Sequence, residues 1–264
     1  MRMIKEIIKE FIQYRELLRT MTLRNIQMKY KQTVMGFLWA IFMPALIVLS
    51  GIVVKGAMAA LSNKPLALQE IVSVSVKALP WAFFVGALKF SVASIVGNMS
   101  LVTKIYFPRE LFPISYVLGQ LFDFFVAGLF LTLVLIFAHI GISIYLLWLP
   151  LIILFLVLLT MGLAMILSCG NVFFRDVRYI VDTLLTFGIF FTPVFYEAGM
   201  FAKWKTLLLL NPVGSILEAI NETVVLHQLP DVGWLTYAGV CSLAIFIFGL
   251  IIFHKNEPLI AEYI

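Results

Sequence analysis

Long apolar runs follow one another along almost the whole chain and dictate the predicted architecture. They cover residues 34–54, 79–97, 112–138, 146–169, 180–198 and 233–253. Each run is close to the roughly 20 apolar residues that an α-helix needs to cross a bilayer. The pattern therefore predicts an all-α membrane protein with six transmembrane helices.

The first 33 residues follow a different pattern. Apolar side chains recur there at three- and four-residue steps, at Ile4, Ile7, Ile8, Phe11, Tyr14, Leu18 and Met21. This spacing predicts an amphipathic helix lying in the membrane surface, and a helix packed on its own protein is the alternative. The chain is accordingly divided into an interface helix region at 1–33 and a six-span membrane domain at 34–264.

Residues 206–226 form a seventh apolar stretch that is a weaker candidate for a span. Asn211-Pro212 interrupts it, and Glu218 and Glu222 add charge to its second half. Both features are costly in a helix surrounded by lipid. We expect a broken, re-entrant segment at the outer side, which leaves six crossings and places both termini on one side.

Composition and charge narrow the class of protein and its orientation. Hydrophobic residues make up 62% of the chain and charged residues 12%, which excludes a soluble enzyme and a disordered chain. Of the Lys and Arg residues, thirteen lie on the side of the termini and five on the other. This bias predicts a multi-pass membrane protein with both termini in the cytoplasm, and it explains the basic net charge without nucleic acid.

No motif for catalysis or nucleotide binding is present in the sequence. There is no Gly-x-x-x-x-Gly-Lys-Ser/Thr loop, no Gly-x-Ser-x-Gly elbow and no His-Glu-x-x-His pair. Cys169, Cys241 and the three histidines lack the spacing of a metal site. We therefore expect no catalytic residue, metal or cofactor on this chain, so energy has to come from elsewhere.

Two ionisable residues fall well inside neighbouring spans. Lys89 and Asp123 lie roughly 14 and 17 Å above the inner ends of their predicted helices, at 1.5 Å per residue. Isolated charges at that depth are costly, so we expect an intramembrane Lys89–Asp123 pair. The alternatives are that Lys89 faces a watery channel or extends toward the membrane surface.

The two cytoplasmic connectors combine aromatic and charged side chains, whereas a simple turn needs only polar residues. Aromatic anchors beside charges are typical of protein interfaces. Rings that dip into the lipid headgroups are the alternative. The two sets are Phe107, Pro108, Arg109 and Glu110, followed by Phe174, Arg175 and Asp176.

These motifs together resemble the transmembrane subunit of type-2 ATP-binding-cassette exporters, specifically the polysaccharide and teichoic-acid export permeases. The similar segments are Arg24–Pro44, TKIYFPREL at 103–111, NVFFRDV at 171–177, TPVFY at 192–196, and Asn211-Pro212 followed by Glu218. Asn25 and Asn221 depart from the family, which usually has Asp and often has Arg there. No role of those charges is carried over to this chain.

The resemblance implies a homodimer joined to two copies of a separate P-loop ATPase, which would bind ATP and Mg²⁺. The dimer would conduct a polysaccharide such as O-antigen or teichoic acid, still attached to a polyprenyl diphosphate lipid. The amphipathic helix and both connectors would contact the ATPase. A drug or lipid export permease of the same superfamily, an ion-driven flippase and a membrane enzyme acting on lipid-linked sugars are the alternatives.

In the resembling family the first and fifth spans border the translocation path. The aromatic residues that we expect to line it here are Trp39, Phe42, Phe190, Phe191 and Tyr196. Aromatic rings can hold the C–H faces of sugars without demanding one hydroxyl pattern. Ordinary membrane packing is the alternative for the same stripe.

Overall fold

The computed structural model describes residues 12–31, 33–61, 67–102, 107–137, 139–201 and 203–263. Within these ranges the secondary structure is helical. The α-helices are Arg15–Tyr30 (α1), Leu38–Leu61 (α2), Leu68–Val92 (α3), Met99–Val102 (α4), Leu111–Phe137 (α5), Leu149–Phe173 (α6), Asp176–Phe191 (α7), Lys205–Leu209 (α8), Pro212–Val224 (α9) and Val232–Tyr263 (α10). The predicted all-α class is confirmed.

Five helical segments of the described chain are long and apolar enough to cross a membrane. They are Leu38–Leu61, Leu68–Val92, Leu111–Phe137, Ile144–Phe173 and Val232–Ile260, the fourth of which includes a 3₁₀ turn before α6. These segments correspond to the first, second, third, fourth and sixth predicted spans. The polytopic membrane architecture is therefore confirmed.

The fifth predicted span, 180–198, is shorter in the structure. Its helix α7 has 16 residues and ends at Phe191. Thr192 is extended, with φ −114° and ψ 136°, because the ring of the following Pro193 disfavours the helical conformation there. A helix of this length rises about 24 Å, less than the roughly 30 Å hydrocarbon core. A sixth crossing by α7 stays a prediction.

The second predicted span, 79–97, has the wrong boundaries. Helix α3 runs from Leu68 to Val92 and therefore includes Lys77, which was expected in an outer connector. Lys55, expected in the same connector, lies inside α2. Both lysines face carboxylates of other segments, so the charges that interrupt the apolar pattern do not interrupt the helices.

Helix α9 shows what the Asn211-Pro212 dipeptide does in this fold. The Asn211 side chain accepts a hydrogen bond from the Val213 amide at 3.1 Å and donates one to Thr192 Oγ1 at 3.0 Å. Asn is a favoured N-cap residue and Pro is favoured at the first helical position. The dipeptide thus starts α9, which contacts α3, α6 and α10. Its re-entrant depth in the membrane stays a prediction.

The predicted interface helix is described only from residue 12 onward, so Ile4, Ile7, Ile8 and Phe11 lie outside the described residues. Its remaining part forms α1, which packs against α5. Asn25 Nδ2 donates a hydrogen bond to Ser115 Oγ at 2.9 Å, and Met21 is buried. This part of the helix is therefore held by its own protein, as the alternative interpretation expected, while Leu23 and Met28 remain exposed.

Candidate functional site

A polar cluster joins the end of α1 to the middle of α5. The Asp123 carboxylate, which is 7% exposed, accepts hydrogen bonds from the Lys29 ammonium and the Tyr30 hydroxyl. Lys29 also donates to Gln120 Oε1 at 3.3 Å and lies 5.2 Å from the centre of the Phe90 ring. Burial and the bond to Asp123 hold the pKa of the Tyr30 phenol above its usual range, so this hydroxyl stays a donor.

The expected Lys89–Asp123 pair is corrected by these contacts. Asp123 binds Lys29 instead, and Lys89 Nζ lies 3.7 Å from Asp182 Oδ1 on α7. The expected pair involved only the two neighbouring spans, whereas α1 packs along α5 and places Lys29 beside Asp123. Lys89 and Asp182 are each more than one-third exposed and form a second link, between α3 and α7.

A cavity of about 370 Å³ adjoins this cluster. Its wall includes Trp39, one of the residues expected to line a conduit, and Phe42 contacts the Trp39 ring edge-on at 5.5 Å. Phe42 itself is 40% exposed. The first pair of predicted conduit residues thus lies beside a polar site that the sequence did not reveal.

The aromatic residues at the end of α7 and just after it differ in exposure. Phe190 and Phe191 are 62% and 73% exposed. Tyr196 is half-buried, and its hydroxyl donates to the Phe190 carbonyl at 3.0 Å. Phe195 is buried beside Gly51 because the chain leaves the helix after Phe191, so it does not continue the exposed stripe.

The first predicted docking connector is largely buried. Phe107 is 6% exposed and packs against Phe112 with ring centres 5.3 Å apart, and Pro108 and Glu110 are also buried. The Arg109 guanidinium donates to the Glu257 carbonyl at 2.7 Å. The expected exposed surface is therefore wrong for these residues, because Phe107 belongs to a buried apolar cluster with Phe253 and Ile260, and Arg109 bonds the C-terminal part of α10. Lys104, Ile105 and Tyr106 lie outside the described residues.

The second predicted docking connector is open to the surroundings. Phe174 is 71% exposed, and Arg175 and Asp176 are exposed beside it. Asp176 occupies the first turn of α7, where a negative charge is favourable. An aromatic ring and two opposite charges thus project together from the junction of α6 and α7.

A buried ionic contact that the apolar pattern did not reveal joins α3 to α9. Lys77 Nζ lies 3.7 Å from Glu218 Oε1 and donates to the Tyr196 carbonyl at 2.6 Å. Glu218 Oε1 in turn accepts from the Ala198 amide at 2.7 Å. The available signal was a single Lys and a single Glu inside apolar stretches, since such charges need partners in a membrane.

Comparison with known proteins identifies the family. The model of the ABC-2 type transporter family matches residues 16–225. The chain is 29% identical to the O-antigen export system permease protein RfbA of Myxococcus xanthus, over 98% of this chain and 99% of the relative. Two proteins of the same name from Klebsiella pneumoniae are 25% and 24% identical, each over 94% of both chains. The resemblance seen in the motifs is confirmed, and the chain belongs to the ABC-2 type transporter family.

Proposed function

We propose that this chain is the transmembrane subunit of an ATP-driven exporter that moves a polyprenyl diphosphate-linked polysaccharide, such as O-antigen, across the cytoplasmic membrane. The observation that carries the proposal is the full-length similarity to three relatives named as O-antigen export permeases. The spanning helices and the missing P-loop agree with it, because the chain can form a path but has no sequence motif for binding ATP.

The working assembly in this proposal is a homodimer with two copies of a P-loop ATPase, which bind ATP and Mg²⁺. Both termini lie in the cytoplasm, in keeping with the distribution of Lys and Arg. The exposed residues Phe174, Arg175 and Asp176 supply the direct ATPase contact. Phe107, Pro108, Arg109 and Glu110 support this side of the protein from within, because they pack against other parts of the chain.

A test of the proposal uses the permease reconstituted with a partner P-loop ATPase from the same organism. Lipid-linked glycan from the same organism should stimulate ATP hydrolysis and reach the far side of proteoliposomes, where a glycosidase can digest it. Stimulation by drugs or phospholipids alone, with no response to lipid-linked glycan, would contradict the proposed substrate.

Replacing Arg175 with Ala should lower glycan-stimulated ATP hydrolysis about tenfold, because the planar guanidinium can hold a carboxylate of the ATPase through two hydrogen bonds. The amount of protein in the membrane should not change, since Arg175 is exposed. Lys203→Ala, an exposed cation on the predicted outer side, is the control. Normal hydrolysis by the Arg175 variant would exclude this residue from the coupling contact.

Replacing Phe191 with Ala should reduce export of long glycans by about fivefold, since one exposed aromatic contact with the sliding chain is lost. Phe248→Ala is a matched control, because Phe248 is similarly exposed at 57% but lies on α10. The measurement is the amount and length of glycan on the cell surface. Loss of the folded dimer by the Phe191 variant, with no separate export defect, would assign this ring to packing.

A further inference from the structure

The cavity beside the Asp123 cluster has the size and composition of a small-molecule site. It has a volume of about 370 Å³ and lies where the end of α1 and the start of α2 meet α3 and α5. Ligand sites usually occupy 300–1,000 Å³ and combine an apolar wall with a few polar groups. The described part of the chain therefore contains a formed cavity that membrane crossing alone does not require.

The wall of the cavity is rich in aromatic rings. The rings on its wall are Tyr30, Trp39, Phe83, Phe90 and Phe124. Aromatic rings bury a large area, and an indole or phenol also presents a polar edge. Such a wall suits a ligand with a flat, weakly polar C–H face.

The polar part of the cavity wall lies among these rings and is nearly neutral. Lys29 and Asp123 both line it and neutralise each other through their ion pair. An anion would have to approach the Asp123 carboxylate, and a hydrocarbon chain would offer no acceptor to the Gln120 amide nitrogen. A neutral ligand with several hydroxyl groups avoids both costs.

Gln120 is the polar side chain with unused hydrogen-bonding capacity at this site. Its Oε1 accepts from Lys29, while its amide nitrogen donates to no described residue. Gly86 makes room for this amide, because a Cβ there would lie 2.8 Å from Gln120 Oε1. The missing side chain at Gly86 thus leaves room for the Gln120 oxygen that accepts from Lys29, and so helps to position this amide at the cavity wall.

We propose that this cavity binds a sugar unit of the lipid-linked glycan before the glycan enters the conduit. The hydroxyl edge of the sugar meets Gln120, Asp123 and Lys29, and its C–H face lies on the aromatic wall near Trp39. This inference rests on the proposed function and adds a sugar-binding site to it. The ligand class follows from a nearly neutral polar cluster that lies among aromatic rings on the cavity wall.

The test measures lipid binding to the purified permease–ATPase complex in nanodiscs. The probes are undecaprenyl diphosphate carrying N-acetylglucosamine and undecaprenyl diphosphate without a sugar. The wild-type complex should bind the sugar-bearing lipid at least about fivefold more tightly, the effect of one or two net hydrogen bonds. Gln120→Leu should remove most of this preference while it leaves binding of the bare lipid diphosphate unchanged.

Two further variants separate the site from general effects on the fold. Gly86→Ala should also weaken the preference, because the added methyl group displaces the Gln120 amide. Thr132→Val, an exposed position on the same helix as Gln120, should behave as wild type. The thermal unfolding temperature of each complex shows whether the variant is folded.

The possible outcomes distinguish this inference from the proposed function. Equal binding of both lipids by the wild-type complex, or an unchanged preference in a folded Gln120→Leu complex, would overturn the sugar site alone. Equal weakening of both lipids by Gln120→Leu would also overturn it, since the site would then hold the diphosphate or the lipid. Failure of the wild-type complex to bind either lipid would contradict the proposed function itself.

Discussion

Replacing Lys77 with Met is expected to lower the free energy of unfolding by about 3 kcal/mol or more, because the change leaves the largely buried Glu218 carboxylate without its counter-ion. The Lys77 side chain is 1% exposed and the Glu218 side chain 13%. Met preserves most of the volume, so the change reports on the lost polar contacts. The measurement is reversible unfolding in detergent micelles, followed by the signal of the native helices.

A double-mutant cycle separates this contact from general damage to the core. Glu218→Gln alone should also destabilise the protein, and the double variant should lose less than the sum of the single losses. Lys55→Met is the control, since its partner Glu70 is 41% exposed at 3.8 Å and stays solvated when the lysine is removed. We expect about 1 kcal/mol or less from that change. Equal losses of unfolding free energy for Lys77→Met and Lys55→Met would show that the buried pair stabilises the fold no more than the exposed one.

Replacing Gly162 with Leu is expected to destabilise the protein by about 3 kcal/mol, because α6 and α10 touch backbone to backbone at this residue. A Cβ on Gly162 would lie 2.6 Å from the carbonyl oxygen of Ile245 and 2.7 Å from the Cα of Phe246. Backbone atoms cannot change rotamer to avoid a clash as a flexible side chain can, so the two helices have to move apart. Small residues allow such close packing where lipid provides no hydrophobic driving force.

The control for this variant is another helical glycine that has free space around it. A Cβ on Gly56 in α2 would meet no described atom within 4 Å, so Gly56→Ala should be neutral or slightly stabilising. The thermal unfolding temperature of the purified protein compares the two changes. A Gly162 variant that unfolds at the wild-type temperature would show that α6 and α10 can move apart at little cost.

The helical framework was largely predictable because the membrane imposes it on any chain of this kind. Backbone groups in lipid have to bond within their own helix, so a long apolar run has one stable conformation. The predicted helix boundaries were wrong where the mean hydropathy of a window of residues does not show where a helix begins or ends. Lys77 lowers the mean hydropathy in the first half of α3, so the predicted span began too late. Pro193 ends α7 although the apolar run continues.

The candidate site was predictable only in part. The motifs around Trp39, Phe174 and Pro193 carried the family resemblance, which the comparisons confirm. The polar partners were not predictable, since Asp123 is bound by Lys29 from α1 rather than by Lys89 from the neighbouring span. The cavity beside them forms where α1, α2, α3 and α5 meet, so no single stretch of sequence contains all of its lining residues.

The sequence by itself determined the solvent in which this protein folds, its helical class and its family, because apolar run length and local motifs are properties of adjacent residues. Only the tertiary structure decided which of its similar residues are buried. Phe107 is covered and Phe174 exposed, although both lie in short connectors beside charges. The physical reason is that burial and ion pairing depend on contacts between residues far apart in the chain, such as Lys77 with Glu218.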